Sequence, residues 1–133
     1  MPRERYAADD PREWLRRAES SLAHAKARNA DVCFEDLCYS AQQAAEKALK
    51  ALLLRRRGRF PYVHDIGELL RLLEEDGETI PNELRAAKAL TDYAVETRYP
   101  GQFDPVAEED YRQALELAAR CLEWVKGRLA DRG

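Results

Sequence analysis

Apolar positions recur at the three-and-four spacing of a helix through most of the chain, and nowhere do they alternate with polar ones as a half-buried strand requires. The densest stretch is 33–54, where Phe34, Leu37, Cys38, Ala41, Ala45, Ala48 and Leu52 recur along one face. Ala44, Leu49, Ala51 and Leu53 widen that band well beyond it. A helix so apolar predicts a central place in a bundle, with neighbours on several sides, and its alanines let those neighbours approach closely.

The rest of the chain supplies the neighbours. Asp10, Pro11 and Glu13 predict a helix start, with an N-cap, a proline at the first helical position and a capping-box glutamate. Its stripe of Trp14, Leu15, Ala18, Leu22 and Ala25 runs to about Arg28. A turn at 29–31 is short enough to force the second helix back antiparallel. That helix closes on Arg55, Arg56 and Arg57, with Gly58 as left-handed cap. Pro61 sets the following loop, and Phe60, Tyr62 and Val63 are apolar enough to fold back on the bundle.

Asp65 and Glu68 repeat the capping spacing and open a short helix carrying Ile66, Leu69, Leu70, Leu72 and Leu73, closed near Gly77. Pro81 begins a fourth helix with Leu84, Ala87, Leu90, Tyr93 and Ala94 inward, stopped by Arg98-Tyr99-Pro100. Asp104 and Pro105 open the last helix, striped by Val106, Tyr111, Ala114, Leu115, Ala118, Cys121, Leu122, Val125 and Leu129. The expected fold class is all-α: an antiparallel up-and-down four-helix bundle with one additional short helix. The 133 residues suit a single domain over 1–133, with an ordered core of about 11–130.

Composition narrows the function classes. A net charge of -3 gives no overall pull toward nucleic acid or membrane, so any anion site must be local. No apolar run approaches the roughly 20 residues of a membrane span, and the amino terminus does not read as a signal peptide, so the expectation is a cytoplasmic protein with no membrane partner. Cys33, Cys38 and Cys121 fall on apolar helix faces and read as core thiols. With only two histidines beside them they offer no paired spacing for a metal, so none is expected.

Candidate chemistry lies in three places. Gln42, Gln43, Glu46, Lys47 and Lys50 are set into the apolar band of the second helix, with Gln43, Glu46, Lys47 and Lys50 three or four residues apart along one side. Glu46 and Lys50 form an ion pair of the favoured polarity, and the group reads either as a solvated or interface stripe or as a polar groove. His64 and Asp65 follow the run Arg55, Arg56, Arg57 and Arg59. There Asp65 is an N-cap, and an imidazole beside guanidiniums could form a phosphate pocket. Arg98 beside Tyr99 could hold a phosphate or a nucleobase, or merely complement a helix dipole. No glycine-rich phosphate loop, HExxH or Gly-x-Ser-x-Gly elbow is present.

The segment from Gln42 to Leu53, the His64-Asp65 pair opening a leucine-rich short helix, and Arg98-Tyr99-Pro100 together resemble the HEPN domain family. The resemblance spans nearly the whole chain from Trp14. It implies a four-helix bundle with a short extra helix, a homodimer, and a minimal nucleotidyltransferase as partner, with a role in binding a nucleotide such as ATP or as the toxin half of a toxin–antitoxin pair. Gln43, Glu46, Lys47, Lys50, His64, Asp65, Arg98 and Tyr99 would then serve nucleotide or phosphate binding or an interface.

Many members of that family are metal-independent ribonucleases with an arginine and a following histidine separated by four to six intervening residues, after the position of Arg98-Tyr99-Pro100. Here Gly101-Gln102-Phe103-Asp104 follows, without a histidine in range. Arg59 and His64, like Arg57 and His64, meet the bare spacing in a different loop. The alternative expectations are therefore a ribonuclease using His64 with Arg59 or Arg57 on RNA, and a pure dimerisation scaffold.

Overall fold

The computed structural model describes residues 5–94 and 105–131. Its elements are α1 (Pro11–Ala25), α2 (Phe34–Arg57), α3 (Ile66–Glu75), α4 (Asn82–Arg85), a 3-10 helix (Ala86–Tyr93) and α5 (Glu108–Ala130). The fold is all-helical among the described residues. The centre is α2, packed mainly against α1 on one side and α5 on the other, with α3 and the 3-10 helix covering the remainder. Cys38, Ala41, Ala44, Ala45, Ala48, Leu49, Ala51 and Leu53 have no exposed surface, so α2 is enclosed over most of its circumference, as its alanine content predicts.

The ends of the helices explain their lengths. Asp10 caps α1 by accepting from the Arg12 amide. The expected capping box does not close, because the buried Glu13 carboxylate accepts instead from the Tyr6 amide, Arg16 and Arg17. The helix stops at Ala25 rather than near Arg28. There the buried Tyr111 hydroxyl donates to the Ala25 carbonyl (2.8 Å), satisfying one of the acceptors that a helix end leaves open and joining α5 to α1. Gly58 closes α2 at φ 73°, the left-handed conformation expected of it. Asp65 caps α3 through the Glu68 amide, while the Glu68 carboxylate turns to Arg71.

Three further expectations are corrected. The fourth helix is only α4, continued from Ala86 as a 3-10 helix. Leu84, Ala87 and Leu90 are buried and the half-buried Tyr93 continues their three-residue step, so the apolar period matches the three residues per turn of a 3-10 helix rather than 3.6. The last helix begins at Glu108, after three non-helical residues, with Asp110 accepting from the Ala107 amide. Of the cysteines, Cys38 and Cys121 are buried, but Cys33 stands exposed at the N-cap of α2, outside the helical turn that would have carried it inward. No helix among those described is long and apolar enough to cross a membrane.

Candidate functional site

The polar residues of α2 divide into two lines. Gln42, Glu46 and Lys50 are spaced four apart and lie together inside the bundle, at 0%, 4% and 4% exposure. Gln43 and Lys47 lie beside them, half-buried. Polar groups so enclosed are costly unless partnered, and these partner one another. Gln42 Nε2 donates to Glu46 Oε1 (2.9 Å) and to the His64 carbonyl (3.3 Å), Gln43 Nε2 donates to Gln42 Oε1 (2.8 Å), and Lys50 Nζ donates to Glu46 Oε2 (3.0 Å).

His64 completes the group from the α2–α3 loop. Its Nδ1 lies 3.0 Å and 3.1 Å from the two Glu46 oxygens, while its side chain remains 68% exposed. Burial pushes the Glu46 carboxyl up, but hydrogen bonds from Gln42, Lys50 and His64 and the Lys50 charge outweigh it, and the net shift is downward. An ionised carboxylate only accepts, so the Nδ1 facing it carries the proton and the imidazole turns its Nε2 outward.

The loop is seated by apolar contacts as well. Phe60 packs edge-on against Trp14 with ring centroids 4.7 Å apart, and Lys50 Nζ sits 5.3 Å from the Phe60 centroid. Phe60 thus folds back on the bundle as expected, and it covers the buried cation. Tyr62, in contrast, is 97% exposed. Arg59 is exposed, forms no ion pair among the described residues, and shares a groove of about 280 Å³ with Arg57, Phe60, Pro61, Val63, Glu68 and Leu72.

The other expected residues lie apart from this group. Lys47 Nζ donates to Ser21 Oγ of α1 (2.9 Å) rather than to Glu46. Asp65 serves α3 as its cap. The arginine run does not gather around His64: Arg57 pairs with Asp76, Arg56 with the buried Glu78, which also holds Arg128, and Arg55 donates to carbonyls at the end of α5. Those guanidiniums tie the ends of α2, α3 and α5 together, so a phosphate pocket built from all four arginines is not what the fold forms. Arg98 and Tyr99 lie outside the described residues. No group of three or more His, Cys, Asp or Glu side chains among the described residues could hold a metal ion.

Grouping Gln43, Glu46, Lys47 and Lys50 by sequence spacing leaves Gln42 out of the site. The strict four-residue register of Gln42, Glu46 and Lys50 is the signal that would have included it. Phe60 as a lid over Lys50 has no sequence signal beyond its apolarity.

A family model described as HEPN domain matches residues 11–128. The chain is similar to TT1696 from Thermus thermophilus, whose crystal structure superposes with a TM-score of 0.74 at 36% identity over 88% of this chain and 96% of that one. It is also similar to ST0689, described as an archaeal HEPN homologue, with a TM-score of 0.71 at 27% identity over 90% of this chain and 97% of that one. No curated protein matches the chain.

Proposed function

The chain belongs to the HEPN domain family, and from that premise we propose that it is a partner module rather than a free-standing enzyme. In this reading it is a homodimer that acts with a minimal nucleotidyltransferase, on the toxin side of such a pair, and binds a nucleotide or strand end by its phosphate. The observation that carries the reading is the Glu46–His64 contact. A buried carboxylate holds one ring nitrogen at 3.0 Å, so the other is presented to solvent in a fixed direction. A phosphate oxygen could accept from that nitrogen when the ring is protonated, and Arg59 in the neighbouring groove offers a second, bidentate donor. Glu46, Lys50, Gln42 and Gln43 neutralise and satisfy one another, and serve to position His64 rather than to touch a ligand.

Calorimetric titration with ATP and other nucleotides, alone and with the nucleotidyltransferase, tests the reading. Binding by the wild type that is lost in His64→Ala and weakened in Arg59→Ala supports it. Absence of binding by the wild type in both conditions removes the nucleotide role.

One observation favours a second reading, the metal-independent ribonuclease. A carboxylate that fixes the tautomer of an exposed imidazole is the arrangement a general acid–base needs. His64 would take the proton of the RNA 2′-hydroxyl, and Arg59 would steady charge on the phosphorus oxygens. Arg57 is tied to Asp76 and is set aside. Equal RNA cleavage by wild type and His64→Ala, or none by either, ends that reading.

A further inference from the structure

His64 is held on Glu46 at one end of a loop whose other end is gripped from α1. Gly58 closes α2 and Asp65 caps α3, and residues 59–64 cross between them. Phe60 sits edge-on against Trp14, with ring centroids 4.7 Å apart and planes at 75°, and Val63 packs half-buried on the core. At the far end of the loop the His64 carbonyl accepts from Gln42, and Nδ1 meets Glu46. The stretch from Phe60 to His64 reaches at most about 14 Å, so a shift of Phe60 from its seat draws on His64.

The grip from α1 is itself oriented. Trp14 Nε1 donates to the Ala8 carbonyl (2.9 Å), Glu13 accepts from the Tyr6 amide (3.0 Å), and Arg12 bonds to Asp10 and lies 4.3 Å from the centre of the Tyr6 ring. Consecutive residues of α1 thus hold the arm 6–10 against the helix, and the Ala8 carbonyl in turn fixes which way the indole faces. An imidazole as exposed as His64 holds a carboxylate weakly on its own, because water competes for the ring. The half-buried aromatic contact therefore counts heavily in where the loop lies.

We propose that Trp14 is a positioning residue for His64. Acting through Phe60, it sets where the α2–α3 loop lies, and so keeps Nδ1 on Glu46 and Nε2 turned outward. The arm 6–10 belongs to the same device, since it orients the indole on which Phe60 rests. The inference deepens the reading of His64 as the ligand-facing group, and rests on that reading for its functional consequence. Two elements separated from the site in sequence, the arm and the start of α1, thereby hold its exposed imidazole in register.

Nitrogen-15 NMR of the His64 ring in full-length variants, with urea unfolding alongside, tests it. Trp14→Leu should lose much of the Nδ1–H preference, whereas Trp14→Phe, which keeps an aromatic surface for Phe60, should retain most of it. Phe60→Leu removes the same contact from the loop side, leaves α1 intact, and should match Trp14→Leu. Leu22→Ala, at a buried position two turns along α1, should lower the urea midpoint and leave the tautomer unmoved. A wild-type tautomer preference in Trp14→Leu or in Phe60→Leu would overturn the proposal, and so would an equal loss in Leu22→Ala, which would mark a general loosening of the fold. The ring is read without ligand, so a failure of the wild type to bind nucleotide would end the phosphate reading and not the positioning of His64 by Trp14.

Discussion

His64 Nδ1 meets both carboxylate oxygens of Glu46, at 3.0 Å and 3.1 Å, so a largely exposed loop residue is fixed by a carboxylate that is only 4% exposed. The two partners are unequal. Glu46 also accepts from Gln42 and Lys50, and removing it strands a buried ammonium and leaves the Gln42 amide only its longer bond to the His64 carbonyl. Glu46→Ala should therefore destabilise the fold by about 3 kcal/mol, whereas His64→Ala should cost under about 1 kcal/mol. Urea unfolding of the two variants checks the difference, and similar losses would count against the hub.

The same carboxylate sets an acid limit. Its pKa in the folded chain is below the ordinary value of 4.5, so the unfolded state binds the proton more readily. Its contribution is fully present above the unfolded value and is lost as pH falls through the folded one. Stability followed by thermal melting should decline below about pH 4.5, and Glu46→Gln should flatten part of that decline. An unchanged slope in the variant would mean that other carboxylates set the limit.

Thiol chemistry separates the cysteines. Cys33 is exposed, while Cys38 and Cys121 are buried and burial pushes the Cys121 thiol up to about 12. A thiolate-seeking reagent should modify Cys33 rapidly in the native protein and the other two only after unfolding. Rapid native modification of Cys121 would contradict the burial of the inner face of α5.

Gly58 is predicted to be replaceable only at a conformational cost. It adopts φ 73°, and a Cβ there would meet nothing within 4 Å, so Gly58→Ala loses only the ease of the left-handed backbone. A loss of about 1 kcal/mol is expected. Thermal melting checks it, and a stabilised variant would mean that the end of α2 relaxes into another conformation.

Much of the architecture is legible in the sequence because α2 has to be enclosed. Its alanines and leucines admit no solvent-facing side large enough for a surface helix, and the caps at Asp10, Asp65 and Gly58 follow from short-range chemistry. The 3-10 helix is not, because an inward set at Leu84, Ala87 and Leu90 fits either period over so short a span, and including Ala94 favours 3.6. Cys33 reads as a core thiol because a shift of one residue at a helix start changes the direction of its side chain. The site is half legible: the polar residues of α2 stand out from their apolar surroundings, but their partners do not. His64 reaches Glu46 and Arg56 reaches Glu78 across separations of 18 and 22 residues, which local pattern does not specify.

Every role given to His64 rests on Glu46 holding its imidazole with Nδ1 protonated and Nε2 turned outward. Nitrogen-15 NMR of the histidine rings, in wild type and in Glu46→Gln, reads that arrangement without an intermediary. Of the two neutral tautomers, the Nδ1–H form is expected in the wild type, with that preference weakened in the variant. An Nε2–H ring in the wild type, or a tautomer indifferent to Glu46→Gln, would contradict it.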